Sequence, residues 1–300
     1  MSARRLRWRL PCRRQTLEAY LCLLPSLLFL VTFTHWPIFR SIWLSFFRWN
    51  LAHPDPTFAG VENYARLATD PTFRQVLWNT GWYAAGTVVP SIALGLFLAI
   101  LLNQRIRGVS VLRPAFFYPT LIPTAAAAMI WVVLFTPGYG LVNYYLRALG
   151  GRGVEWLNDG SWAMWALIIV GVWKHVGQYM LIFLAGLQAI PTELYEAAIT
   201  EGATWRQSLT RITLPLLGPM TFFVGIIAVI DSFQSVDQVY IMTKGGPYDS
   251  TNVLLYYIYQ HAFQYADFGY GSTLSTFLLL LLLLFTVVYI RALSWRVTYQ

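Results

Sequence analysis

Residues 191–219, PTELYEAAITEGATWRQSLTRITLPLLGP, form the only long polar, charge-bearing interval between two strongly apolar stretches in the second half of the chain. After Pro191, Thr192 is placed to act as an N-cap, and Glu193 falls in the first turn, where a negative charge suits the helix dipole. Gly202 is placed to end that helix in a left-handed conformation. Trp205, Leu209, Ile212 and Leu216 then share one helical stripe, with Arg206, Gln207, Thr210 and Arg211 elsewhere, before Pro215 and Pro219 bend the chain into the next apolar span. The interval reads as two short helices joined at a glycine, lying across a membrane surface where something outside the membrane can meet it.

The composition sets that surface. With 57% hydrophobic and 11% charged residues over 300 positions, the chain cannot wrap a polar skin around a soluble globule, since a typical soluble chain is about one quarter charged. A mean hydropathy of +0.53 agrees, and the expectation is an all-α integral membrane protein. The net charge of +8 comes from arginines clustered beside apolar spans, which fits membrane topology rather than nucleic-acid binding. Arg4, Arg5, Arg7, Arg9, Arg13 and Arg14 precede the first span and hold the N-terminus in the cytoplasm by the positive-inside rule. The apolar core that follows, 19–39, is longer than that of a cleaved signal peptide, so an uncleaved anchor is expected. Cys12 and Cys22 have neither CxxC spacing nor partnering histidines, so no disulfide, metal site or cofactor is implied.

Six spans are expected, near 20–39, 78–102, 115–135, 162–187, 216–241 and 269–290, with both termini cytoplasmic. Arg105, Arg107 and Arg113 mark a short cytoplasmic turn, and Arg291 and Arg296 an inner end. Pro119 and Pro123 interrupt the third span and require neighbouring groups to satisfy the freed carbonyls. Between the first two spans, 40–74 suits a short outer loop with an interfacial helix.

Within 191–219, Glu196-Ala197-Ala198, Gly202 after three residues, and Ile212-Thr213-Leu214-Pro215 after nine more resemble the EAA loop of permease subunits of binding-protein-dependent ABC importers. Two further phrases resemble sugar-type permeases: Phe58-Ala59-Gly60-Val61-Glu62-Asn63-Tyr64 before the second span, and Thr243-Lys244-Gly245-Gly246-Pro247 with Thr251 after the fifth. Glu201 stands before Gly202 where an aspartate is commoner in the family, which keeps the charge. The short first outer loop departs from the enteric maltose permease with its large inserted domain. The resemblance implies the ABC importer permease (MetI-like) arrangement, with a cytoplasmic basic arm at 1–18, a six-span domain at 19–292 and a cytoplasmic tail at 293–300. It also implies a second permease subunit, two ATP-binding subunits, an extracytoplasmic solute-binding protein and a sugar, oligosaccharide or glycerol-phosphate substrate, in the cytoplasmic membrane of a prokaryote. Glu196, Ala197, Ala198, Gly202, Ile212, Leu214 and Pro215 would then couple to the ATPase.

A P-loop lysine must follow a glycine, whereas the only lysines, Lys174 and Lys244, follow Trp173 and Thr243. The chain is therefore expected to be a non-catalytic subunit, with ATP hydrolysis elsewhere. Ionisable groups inside spans are expensive and mark paths or paired contacts. At 1.5 Å per residue, Lys174 and Asp231 lie about 21 and about 24 Å from the inner ends of their spans, so they are expected to pair, to line the substrate path, or both. Gln178, Tyr179, Gln234 and Asp237 add groups suited to a hydroxyl-rich solute, or to ordinary interhelical bonding. A proton-coupled secondary transporter using Asp231, Asp237 and Lys174 is the rival reading; it leaves 191–219 unexplained and calls for inverted repeats that the sequence does not display. An intramembrane enzyme would need its carboxylates and histidine on one water-facing site, which nothing in their spacing favours.

Overall fold

The computed structural model describes residues 13–104 and 107–294. The topological roles expected of Arg4, Arg5, Arg7, Arg9, Arg105 and Arg296 fall outside the described residues. The first long helix, α1 (Thr16–Leu44), contains a π-helical turn at Val31–His35 and is exposed from 17 to 40. Such an apolar surface is stable only against lipid or another chain.

The next segment adds one short hairpin to the otherwise helical chain. Strands β1 (Phe47–Asn50) and β2 (His53–Phe58) form an antiparallel hairpin, with Phe47 opposite Phe58 and an irregularity between Arg48 and Asn50. Pro54 and Pro56 hold their predecessors in extended backbone, so the HPDPTF run cannot be helical. The expected interfacial helix follows as α2 (Glu62–Thr69). Asn63 fastens it to the hairpin, donating to the carbonyls of Ser45 and Phe47 at 2.9 and 3.0 Å.

The helices that follow are α3 (Pro71–Leu102), α4 (Val109–Leu121), α5 (Thr124–Phe135), α6 (Leu141–Ala148) and α7 (Gly160–Gln188). Beyond them come α8 (Thr192–Thr200), α9 (Trp205–Leu216), α10 (Gly218–Phe233), α11 (Val236–Met242), α12 (Leu254–Tyr259) and α13 (Phe268–Ser294). Among the described residues α1, α3, α7 and α13 are continuous helices long and apolar enough to cross a membrane, and two bent pairs, α4 with α5 and α9 with α10, pass the same test together.

The bends correct two expected spans. The third is not one helix over 115–135: α4 and α5 meet at 99°, because Pro123 offers no N–H to the carbonyl of Pro119 four residues earlier. The fifth begins at Gly218, after a 62° turn from α9, stops at Phe233 and resumes at Val236.

The centre of the molecule is the contact between α3 and α7. A Cβ at Gly86 would lie 2.5 Å from Ile168, at Gly171 2.9 Å from Thr87, and at Gly95 3.0 Å from Tyr179, so small residues bring the two backbones together. These pairs ascend together, so α3 and α7 are parallel. Gly177 against Phe116 and Thr120 against Lys174 make α4 antiparallel to α7. Gly186 against Leu217 and Tyr179 against Asp231 do the same for α10. α4 therefore runs opposite to both α3 and α7.

Candidate functional site

The interval 191–219 folds as two helices at one end of the core. Pro191, with extended backbone, fills the N-cap position of α8, so Thr192 is the first helical residue and not the cap expected from the sequence. At the other end Gly202 adopts φ +78°, the Ala203 N–H donates to the Ala198 carbonyl at 2.8 Å and the Gly202 N–H to that of Ile199 at 3.0 Å. This is the paired-bond, left-handed helix ending that glycine favours. Thr204 then opens α9: its N–H donates to Gln207 Oε1 at 2.7 Å and its hydroxyl accepts from the Gln207 N–H, a reciprocal cap. The hydroxyls of Tyr195 and Thr213, 3.0 Å apart, join the two helices.

Of the seven residues expected to couple, Ala198 is buried, Ile212 half-buried, and Glu196, Ala197, Gly202, Leu214 and Pro215 exposed. The expected stripe splits: Leu209 and Ile212 turn inward while Trp205 and Leu216 stay exposed, because a π-helical turn at Leu209–Thr213 widens the helix and rotates its face. Ile199 is 72% and Trp205 63% exposed, at the rim of a groove of about 360 Å³ between the loop and the ends of α3 and α7.

Deeper in the core lies a polar layer. Tyr83 donates to Gln238 Oε1 at 3.2 Å, and Gln238 Nε2 donates to the Leu167 carbonyl at 2.6 Å. Tyr179 donates to Asp231 at 3.2 Å, and His175 Nδ1 lies 3.8 Å from the same carboxylate. Tyr83, His175 and Tyr179, with Ser91, Ser232 and Ser235, line a cavity of about 10 Å³, room for at most a water, where the buried Ser91 hydroxyl has no partner among the described residues.

Lys174 is elsewhere. Its Nζ lies 2.5 Å from the Ile122 carbonyl and 3.5 Å from those of Pro119 and Thr120, at the break between α4 and α5. The pairing expected between Lys174 and Asp231 is not made: the carbonyls of Pro119, Thr120 and Ile122 at the α4–α5 break hold the ammonium, while Asp231 faces Tyr179 and His175. Gln178 is half-buried, and Gln234 and Asp237 are exposed beside the interruption between α10 and α11. Sequence reading missed Tyr83 and Gln238. Their signal was a tyrosine and a glutamine in otherwise apolar helices, and nothing in the sequence says that positions 155 apart meet.

At the end away from 191–219, the turn at 243–251 is held by Thr251, whose hydroxyl donates to the Gly246 carbonyl at 2.7 Å and lies 2.8 Å from the Thr243 hydroxyl oxygen. Asn79 donates to the carbonyls of Asp249 and Asn252, tying the turn to α3. Nearby, Asp70 caps α3 and accepts from the Thr72 N–H at 2.9 Å and from the hydroxyls of Tyr257 and Tyr270 at 2.7 and 2.9 Å. Burial alone would raise the Asp70 pKa, but these hydrogen bonds outweigh it and the net shift is downward.

The family model described as "Binding-protein-dependent transport system inner membrane component" matches residues 91–297. The chain is 34% identical to the trehalose/maltose transport system permease protein MalF of Thermococcus litoralis, over 94% of this chain and 96% of the relative. It is 32% identical to the sn-glycerol-3-phosphate transport system permease protein UgpA of Salmonella choleraesuis, over 97% and 98%. In fold it resembles a chain from the crystal structure of a bacterial ABC transporter involved in the import of alginate, with TM-score 0.84 at 23% identity over 95% of this chain and 98% of that one. The loop, the broken helices and these matches agree, and the chain belongs to the inner membrane components of binding-protein-dependent transport systems, as an ABC importer permease.

Proposed function

We propose that the chain crosses the cytoplasmic membrane of a prokaryote six times, counting the bent pair α4–α5 as one crossing and α10 with its continuation α11 as another, with both termini and the 191–219 loop, including α9, in the cytoplasm. It works with a second permease subunit, two ATP-binding subunits and an extracytoplasmic solute-binding protein, and it carries a sugar, oligosaccharide or glycerol phosphate. The observation that carries this reading is the shape of the α8–α9 corner: Gly202, the Thr204–Gln207 cap and the Tyr195–Thr213 contact hold it, while Ile199 and Trp205 stand exposed among polar and charged side chains near its tip. An exposed corner held in one shape suits a lever pushed by a separate ATPase. ATP binding draws this loop and its counterpart on the second permease together, so that the helices rock and the central cavity opens outward; hydrolysis and release reverse the motion.

On this reading Gln178, Tyr179, Asp231, Gln234 and Asp237 present hydrogen-bonding groups along the substrate path, and Lys174 shapes it by holding the α4–α5 break. Glu196→Lys reverses an exposed charge on the docking face without altering any apolar helix, and Gly202→Asp places a charged side chain at the left-handed corner. Both variants are expected to reach the membrane at wild-type levels yet to lose co-purification of the ATP-binding subunit and substrate uptake. Wild-type attachment and uptake in both would reduce the loop to an interfacial hairpin.

A further inference from the structure

We propose that the Lys174 ammonium is the resident cation of a backbone-carbonyl site at the α4–α5 break, a positioning residue that does there what a dissolved ion would otherwise do. Three carbonyl oxygens, from Pro119, Thr120 and Ile122, lie around Nζ, and no carboxylate among the described residues does. The site is a consequence of the chain's chemistry. Pro123 removes the N–H that the Pro119 carbonyl would meet in a continuous helix, and the break leaves the α4 carbonyls at the negative end of a helix dipole. In an apolar medium such carbonyls need a donor or a cation, and broken helices in ion-coupled carriers meet that need with a bound sodium ion or proton. Here α7 supplies the cation on a tether. Gly177 lets the backbone of α4 approach so closely that a Cβ there would collide with the Phe116 carbonyl oxygen, and Thr120 Oγ1 donates to the Lys174 carbonyl at 3.0 Å. Lys174 is itself only 8% exposed, so the contact is shielded from bulk water.

The inference rests on the reading that the bent pair lies within the membrane. It explains why a chain with a broken helix at this depth needs no free coupling ion at the break, which separates it physically from a secondary transporter. The test uses the assembled, reconstituted importer with Lys174→Ala and Lys174→Met. The alanine variant deletes what n-propylammonium would restore, and methionine fills the same space with no charge. Binding-protein-stimulated ATPase activity and thermal unfolding midpoint are read with n-propylammonium or with tetramethylammonium, which has no N–H, at equal ionic strength. Lys174→Ala is expected to lose about tenfold or more of the stimulated activity, as removal of a charged group from shielded hydrogen bonds entails, and to regain several-fold with propylammonium alone. The midpoint is expected to rise with propylammonium in Lys174→Ala, and in neither wild type nor Lys174→Met. If the alanine variant fails to assemble, purification in propylammonium should recover the complex. Full activity of Lys174→Ala without amine, or a defect in activity, midpoint and assembly that propylammonium does not relieve, would overturn the proposal. The midpoint decides the matter even where wild type shows no stimulated ATPase, a result that would count against the proposed function instead.

Discussion

Asp70 joins three groups with one carboxylate: it caps α3 and holds the hydroxyls of Tyr257 and Tyr270, from α12 and α13, beside Arg66, whose guanidinium lies 4.0 Å from the Tyr270 ring and 2.8 Å from Asp267. Asp70→Ala removes the cap and leaves two hydroxyls without their acceptor, so a loss of roughly 2–4 kcal/mol is expected from cap and charge-assisted bonds together, measured as a fall in unfolding midpoint of the purified protein. Against this cluster His261 stands among the rings of Tyr257, Tyr265 and Tyr270 at 4.6–5.2 Å. Burial, and then the nearby Arg66 charge, push its pKa from 6.5 down to about 4, against smaller upward pulls from Asp267 and Asp70. The unfolded chain therefore binds more protons than the folded one between those values, and the contribution to stability, complete above about pH 6.5, is lost as pH falls toward 4. The downward shift of Asp70 acts in the same direction at lower pH. His261→Phe is expected to flatten the midpoint-against-pH curve between pH 6.5 and 4; an unchanged slope would show that His261 does not set it. None of this was legible in the sequence, because Asp70 meets Tyr257 and Tyr270 across 187 and 200 residues and one aspartate before a proline reads only as a helix start.

At the scale of elements, the sequence foretold breaks better than shapes. Pro119 and Pro123 announced carbonyls in need of partners, yet the 99° angle and the choice of Lys174 as partner depend on α7 lying alongside, which no local pattern encodes. The hairpin at Phe47–Asn50 and His53–Phe58 was missed because its prolines read as a loop, and only its antiparallel pairing makes it strand. The helical ending at Gly202 was legible because left-handed backbone favours one residue type. Gly177 carries the packing of α4 on α7, so Gly177→Ala is expected to cost roughly 1–3 kcal/mol through overpacking against the Phe116 backbone, whereas Gly81→Ala, with nothing within 4 Å of the new methyl, should be neutral or slightly stabilising. Unfolding midpoints of the two variants, side by side, check the pair; equal midpoints would deny the close contact.

For the whole molecule, composition and apolar periodicity were enough to read a multi-helix membrane protein, and the spacing of Glu196, Gly202 and Pro215 was enough to read its family. What stayed illegible is what depends on other chains. α1 is exposed from 17 to 40 and the α8–α9 corner presents Ile199 and Trp205 outward, so a large share of this chain's apolar surface is completed by lipid or by subunits that its own sequence does not describe. The account makes the chain a lever driven by ATP hydrolysis elsewhere, and the measurement that bears on it most directly is uptake into proteoliposomes holding the full complex, with the ATP-binding subunit either active or catalytically inactivated, each with and without an imposed proton gradient. The account predicts uptake only with the active subunit and loaded binding protein, indifferent to the gradient. Uptake that survives inactivation of the ATP-binding subunit and follows the proton gradient would contradict it.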